Sequence, residues 1–164
     1  MSKSVDQLIL TLNKESDIYT EILELSKKKR EAIRANQLDE LSEVTSYEQG
    51  LVVTLFKLEE IREKVVDMVM REQGIEQAEN LTEIARYLNR EDRERMLNAK
   101  DRLVVLVKNV SDENRFNNRV LEERLQMINL NIELMTQMND DSGKYTDKAM
   151  SEDVERRAIF DRRV

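Results

Sequence analysis

Two short stretches of the sequence carry residue types that could take part in catalysis or phosphate binding. The run SKKK at 26–29 has the Ser-x-x-Lys spacing in which a lysine activates a serine nucleophile. The run SGK at 142–144 has the lysine of a phosphate-binding loop, but neither the upstream glycine nor the flanking strand of such a loop. Because SKKK lies on a charged helical stretch without a companion motif, we predict that neither run is catalytic.

The wider search for reactive side chains also returns little. The chain has no histidine and no cysteine, which removes the commonest general base, thiol nucleophiles and thiolate zinc sites. A di-iron centre in a glutamate-rich bundle would need Glu-x-x-His on facing helices. We therefore predict no catalytic residue, no cofactor and no metal, and we do not expect an enzyme.

The basic run KKKR at 27–30 could contact an anionic surface. It lies near the predicted C-terminus of a helix, where the helix dipole favours cations. We interpret it as a solvated helix end. The net charge of the whole chain is −7, which argues against nucleic acid as a partner because such binding depends on neutralising phosphates.

The composition indicates long helices. Of the 164 residues 37% are charged and 4% aromatic, with no proline and three glycines. No apolar run approaches the roughly 18 residues of a membrane span, and the N-terminal sequence lacks the apolar region of a signal peptide. We expect a cytoplasmic protein that does not insert into membranes.

Apolar residues recur at spacings of three and four along most of the chain, which predicts helices. The predicted N-terminal caps are Ser4 with Gln7, Asn36 with Asp39, Asn80 with Glu83, and Asn89 with Asp92. The helices that follow end near Ala35, Gly74, Leu88 and Met138. Since the connections are short, neighbouring helices should be antiparallel. We predict an all-α fold, an elongated antiparallel helical bundle over 1–139 with three long helices and one short, resembling a coiled coil.

Residues 140–164 contain no sustained heptad and begin with turn-forming residues. We predict that they form a mobile C-terminal tail. The tail nevertheless contains Tyr145, Met150, Ile159 and Phe160, which are too few apolar residues for a core of their own. Such a segment could become ordered when a partner binds.

The last helix has two apolar faces. The run LQMINLNIELMTQM at 125–138 alternates apolar and polar residues as a strand does. At about 100° per residue of an α-helix, these residues instead divide into two nearly opposite stripes. The first, which we predict to pack on helices 1 and 2 with Asn114 and Asn117 fixing the register, contains Leu103, Val107, Val110, Leu121, Leu125, Ile128, Ile132 and Met135. The second contains Phe116, Val120, Met127, Leu130, Leu134 and Met138.

Three interpretations of the second stripe remain open. The tail or the short third helix could cover it, a partner protein could bind it, or two copies of the chain could pair through it. Methionine is common where one surface must accept different side chains, and a partner helix could lie in a groove beside the tail. These two observations favour a partner protein.

The order and spacing of several segments resemble the FlgN family of flagellar export chaperones. The matching segments are ESDIYTEILELSKKKREAI at 15–33, KLEEIR at 57–62, NRFNNRVL at 114–121, Tyr145, and FDRR at 160–163. One departure is Ala149, which stands where the family pattern has a glycine four residues after the tail tyrosine.

The resemblance implies a cytoplasmic binding protein that holds the C-terminal helices of hook-associated (hook–filament junction) proteins. It also implies delivery of these proteins to the flagellar type III export gate, with Tyr145 as the docking residue. Combined with the helical wheel, it predicts a partner-binding set of Phe116, Val120, Met127, Leu130, Leu134, Met138, Tyr145, Ile159 and Phe160. The alternative function is that of a structural or adaptor coiled coil that self-associates, as a homodimer, through the same face.

Overall fold

The computed structural model describes residues 3–137. Within that range the chain forms four α-helices and no strand: α1 (Lys3–Arg34), α2 (Leu38–Gln73), α3 (Leu81–Ala85) and α4 (Arg90–Thr136). The prediction of an all-α helical bundle is therefore confirmed. The predicted boundary at residue 139 and the predicted tail at 140–164 lie outside the described residues.

The side chains predicted to cap α3 and α4 do so. Asn80 Oδ1 accepts a hydrogen bond of 3.0 Å from the backbone N–H of Glu83. Asn89 Oδ1 likewise accepts one of 2.8 Å from the backbone N–H of Asp92. Each bond satisfies a donor in the first turn that has no partner within its own helix. The two starts are thus determined by local sequence.

Two residues with positive φ end α1 and α2. Gly74, at φ 66°, follows α2 as predicted. Asn36 has φ 54° and follows α1, so the prediction that Asn36 caps the second helix is wrong. Asparagine tolerates the left-handed conformation better than other residues with a Cβ, and a residue in that conformation lets the next N–H bond back to the last turn. Those N–H groups, of Gln37 and Ile75, reach carbonyls five residues earlier at 3.0 and 2.8 Å.

Two further predicted helix ends are wrong. Ser4 lies inside α1 rather than before it, is 1% exposed, and donates its hydroxyl hydrogen bond to the carboxylate of Glu72 in α2. At the other end of the short helix, α3 stops at Ala85 instead of Leu88. Residues 86–88 donate to carbonyls three residues earlier, at 3.1–3.2 Å, which is the tighter turn common at helix ends.

Contacts divide the chain into two compact units. The first contains the described part of Met1–Glu24 together with Ser46–Asn109, and the second contains Leu25–Thr45 and the described part of Val110–Val164. Each of the three long helices therefore contributes residues to both units.

In the first unit, α2 runs antiparallel to α1. Ser4 bonds to Glu72, and further along α1 the carboxylate of Glu15 pairs with Arg62 at 2.7 Å. The largest fully buried apolar side chains of this unit are Val5, Leu8, Leu12, Ile22, Val69 and Met96. α4 runs parallel to α1 here, because Asp6 pairs with Arg95 at 2.9 Å and Asp17 with Arg102 at 3.2 Å.

Glu15 is a buried carboxylate in the first unit, with 1% of its surface exposed. Its Oε2 accepts from Arg62, and its Oε1 has no hydrogen-bond partner among the described residues. Burial raises the pKa of the Glu15 carboxyl from 4.5 to about 7; Arg62 opposes this effect and Glu59 adds to it. A charged Glu15 is therefore unfavourable in this position.

In the second unit, α4 again runs parallel to α1. Asn117 Nδ2 donates 2.9 Å to the backbone carbonyl of Ser26, and Arg124 Nη2 donates 2.8 Å to that of Arg34. Residue numbers increase along both helices from the first bond to the second, so the helices are parallel. The two bonds together set the register. The buried apolar residues of this unit are Leu25, Ala32, Ile33, Val44 and Val110.

Candidate partner-binding surface on the last helix

α4 continues beyond the end of α1 in the second unit. Arg34 is the last residue of α1, and Arg124 bonds to its carbonyl. The twelve residues from 125 to Thr136 are still helical, which at about 1.5 Å per residue corresponds to roughly 18 Å of helix. We call residues 125–137 the distal segment. Because α1 ends at Arg34, the distal segment extends past the last residue of that helix.

The predicted second face is exposed in the distal segment. Met127, Leu130 and Leu134 are 55%, 56% and 59% exposed. Single exposed apolar residues are ordinary, but a cluster of large ones on a single face of a helix is typical of an interaction site. The described part of the chain does not cover this face.

Part of the predicted core stripe is wrong. Leu103 and Val110 are buried as expected, whereas Ile128 and Met135 are 45% and 73% exposed. The remaining members of that stripe, Val107, Leu121, Leu125 and Ile132, are partly buried. Ile128 and Met135 come after the level at which α1, one of the two helices on which they were predicted to pack, has ended. The distal segment thus has apolar residues exposed on both faces.

Phe116 is held in place by Arg30 of α1. The guanidinium carbon of Arg30 lies 4.4 Å from the centre of the Phe116 ring, within the range of a cation–π contact. Arg30 also forms an ion pair with Glu113 and donates 3.0 Å from Nε to Asn117 Oδ1. The ring is 38% exposed, so it has one face on Arg30 and part of its surface toward solvent.

The interpretation of KKKR as a solvated helix end is wrong for its last residue. The Arg30 side chain is 21% exposed, because three residues of α4 bind it. Those partners lie more than 80 positions away in the sequence, so no local pattern could have identified them. Lys27 and Lys28 of the same run are exposed, as predicted.

The predicted role of the two buried asparagines is confirmed in part. Asn117 is 3% exposed and joins α1 to α4 through Ser26 and Arg30. Asn114 is 8% exposed, but its Nδ2 has no partner among residues 3–137. A buried polar group needs a hydrogen-bond partner. Asn117 reaches its partners in α1 at one relative position of the two helices, which fixes the register.

The remaining predicted partner-binding residues fall into two groups. Val120 is partly buried in α4. Met138, Tyr145, Ile159 and Phe160 lie outside the described residues, so the structure does not test their placement. The described residues of the predicted set therefore all lie on one helix, α4.

A model of the FlgN protein family matches residues 1–153. The chain belongs to the FlgN family. Membership implies, in broad terms, a role as a flagellar chaperone with protein partners in flagellar export. Comparison with curated proteins and with solved structures gives no match.

The FlgN match includes the parts of the chain that form the candidate surface. It covers Phe116, the whole distal segment and Tyr145, and it ends before Ile159 and Phe160. The segment NRFNNRVL at 114–121 contains Asn117 and Phe116, both of which contact Arg30. In this FlgN-family chain, therefore, that segment connects α4 to α1 next to the exposed surface.

The described part of this FlgN-family chain contains neither a membrane-spanning helix nor a metal-binding cluster. None of its helices is both long and apolar enough to cross a membrane. No group of three or more acidic side chains within residues 3–137 is placed to hold a metal ion.

Proposed function

We propose that this FlgN-family chain is a cytoplasmic chaperone that binds the C-terminal helices of flagellar hook-associated proteins. It would then deliver them to the flagellar type III export gate. The observation that carries the proposal is the exposure of Met127, Leu130 and Leu134 on a helix that continues past the end of α1. An amphipathic helix from a partner can bury these residues under its own apolar stripe.

The surface suits a partner that must later be released. Each Å² of apolar surface buried contributes about 25 cal/mol, and ordering of the partner and of its side chains offsets much of this contribution. A surface only about 18 Å long therefore supports binding that is reversible. Reversibility is necessary for a protein that transfers its client to an export apparatus.

We also propose that the chain is not an enzyme. The one motif with a catalytic spacing, SKKK, begins at Ser26, which is 1% exposed. A serine nucleophile has to reach its substrate, and a side chain buried against a neighbouring helix does not. The exposed Lys27 and Lys28 are then surface charges of α1.

The proposal is tested by mixing the chain with the C-terminal segment of a hook-associated protein from the same organism. Size exclusion with light scattering gives the mass of any complex, for the full chain and for a version ending at Asn139. We expect a complex with the full chain and weaker binding after truncation. If neither version binds a hook-associated protein and the chain alone has twice its own mass at micromolar concentration, the self-associating coiled coil is the better description.

A further inference from the structure

The distal segment is almost free of charge. In a chain that is 37% charged, residues 125–137 contain one charged side chain, Glu133. The polar positions are occupied mostly by amides, namely Gln126, Asn129, Asn131 and Gln137. Charged residues are frequent immediately upstream, at 122–124. The change in composition therefore coincides with the point at which α4 passes the end of α1.

The amides flank the exposed apolar stripe. With Leu130 at zero and about 100° per residue, Leu134 and Met127 lie at about 40° and 60°. Gln126 and Asn131 then lie about 40° beyond the two edges of this stripe, and both side chains are exposed. Glu133 lies on the same side of the stripe as Gln126 but further from it. A helix next to solvent normally has lysine and glutamate at such flanking positions, so their replacement by amides is a property of this surface.

We infer that the distal segment binds a helix whose own apolar stripe is flanked by uncharged polar side chains such as Asn, Gln, Ser or Thr. The inference rests on the proposed function and specifies the chemistry of the partner. A charged residue on the Asn131 side of the stripe would lose water without gaining an opposite charge, and on the Gln126 side only a cation could gain one, from Glu133. A partner helix with charges on both flanks is therefore unfavourable. Amides can instead exchange hydrogen bonds with other uncharged polar groups, and the centres of protein interfaces are depleted of charge.

Two other occupants fit this surface less well. The chain's own residues 138–164 carry charges at thirteen of 27 positions, so their composition does not match an uncharged surface. A second copy would have a matching composition but a small contact. Two helices about 18 Å long and about 10 Å wide cover roughly a few hundred Å² each. This is below the approximately 800 Å² per partner of a stable interface, so it does not give a stable dimer, whereas it suits the reversible binding proposed for a partner helix.

The inference can be tested with three synthetic helices of about 25 residues, long enough to be helical in solution. All three have the same apolar stripe, and its flanks are all Gln, all Glu or all Lys. Fluorescence anisotropy with the full chain gives each Kd at about 0.5 M salt, where long-range charge effects are screened. We expect the Gln-flanked helix to bind at least about tenfold more tightly than either charged helix, and Leu130→Asp to abolish the difference.

Charge substitutions supply the matched controls. Gln126→Lys should weaken binding of the Gln-flanked helix and shift the preference to the Glu-flanked one. Gln7→Lys, at an exposed glutamine of α1 in the first unit, should leave the order of the three helices unchanged. If a charged helix binds the unsubstituted chain as tightly as the Gln-flanked helix, the inference is wrong.

Two other outcomes would also overturn the inference. One is that none of the three helices binds, and the other is that the chain is a stable dimer which the Gln-flanked helix cannot dissociate. None of these measurements uses a hook-associated protein, so they are independent of the proposed client. Binding of the Gln-flanked helix without binding of any hook-associated segment would contradict the proposed function and support the surface chemistry inferred here.

Discussion

Arg124 in α4 donates a 2.8 Å hydrogen bond to the backbone carbonyl of Arg34, the last residue of α1. This carbonyl is one of the four at a helix C-terminus that have no partner within the helix. A cation at this position also interacts favourably with the helix dipole. The same bond marks the level at which α4 leaves α1 and the exposed distal segment begins.

Replacement of Arg124 by alanine should loosen the end of α1. We expect Arg124→Ala to lower the free energy of unfolding by about 0.5–1.5 kcal/mol, the usual contribution of one hydrogen bond. Urea unfolding followed by circular dichroism measures this change. Arg115→Ala, at an exposed position of the same helix, is the control and should alter stability by less than about 0.5 kcal/mol. Equal effects of the two substitutions would show that the bond to Arg34 contributes nothing.

Replacement of Leu130 by aspartate should separate binding from stability. Leu130 is 56% exposed, so we expect Leu130→Asp to weaken partner binding at least about tenfold with little change in Tm. Val110, in the same helix, is 0% exposed. Val110→Asp places an unpaired carboxylate in the core and should destabilise the fold by several kcal/mol, roughly 3 or more. Calorimetry gives both Tm values, and a large drop for Leu130→Asp would mean that this face is part of the core.

Loss of the Arg30 side chain should affect three residues of α4 at once. Arg30→Ala removes the nearer of the two guanidinium groups beside Phe116, the other being that of Arg119 at 5.8 Å. It also removes the partner of the Glu113 carboxylate and of Asn117 Oδ1. We expect a loss of about 1–3 kcal/mol, because polar groups at a partly buried position lose their partner. The matched control is Lys27→Ala, an exposed position in the same basic run, which should be nearly neutral. Denaturant titration of both variants tests the difference.

The buried carboxyl of Glu15 should make stability depend on pH. Its pKa is raised from 4.5 to about 7 in the folded protein, chiefly by burial. Between these values the folded protein holds a proton that the unfolded chain has released, so the free energy of unfolding falls as pH rises from about 4.5 to 7. The loss is complete above pH 7 and amounts to at most about 3 kcal/mol.

Substitution isolates this effect. Glu15→Gln cannot ionise, so its Tm should change less between pH 5 and pH 8 than that of the unsubstituted chain. Glu24→Gln, at an exposed position of α1 in the same unit, should retain the original pH dependence. If Glu15→Gln and the unsubstituted chain lose the same amount of stability over this range, burial of Glu15 is not the cause.

Local sequence predicted the parts of the fold that depend on neighbouring residues. Asn80 and Asn89 cap their helices because the donors that they satisfy lie three residues away. Ser4 has the same local pattern, but its hydroxyl bonds to Glu72, 68 positions later. A long-range contact of this kind cannot be read from a capping motif, which is why the predicted start of the first helix was wrong.

Periodicity predicted which residues of α4 share a face but not how far each face is buried. Ile128 and Met135 follow the same spacing as the buried Val110. Their exposure depends on where α1 ends relative to α4, and that register is set by Asn117 with Ser26 and Arg124 with Arg34. The wheel alone places Met127 and Leu130 on the side of α4 opposite Leu103 and Val110, and in the structure the first two are exposed and the last two are buried.

The most direct test of the proposed function is methyl NMR of the chain labelled at methionine. Met127, which is 55% exposed on the distal segment, reports on the proposed surface, and Met96, which is 0% exposed in the first unit, serves as an internal reference. On addition of the C-terminal segment of a hook-associated protein, the Met127 methyl signal should shift while that of Met96 stays in place. A complex that forms without changing the Met127 signal would contradict the proposed binding surface, and failure to form a complex would contradict the proposed function itself.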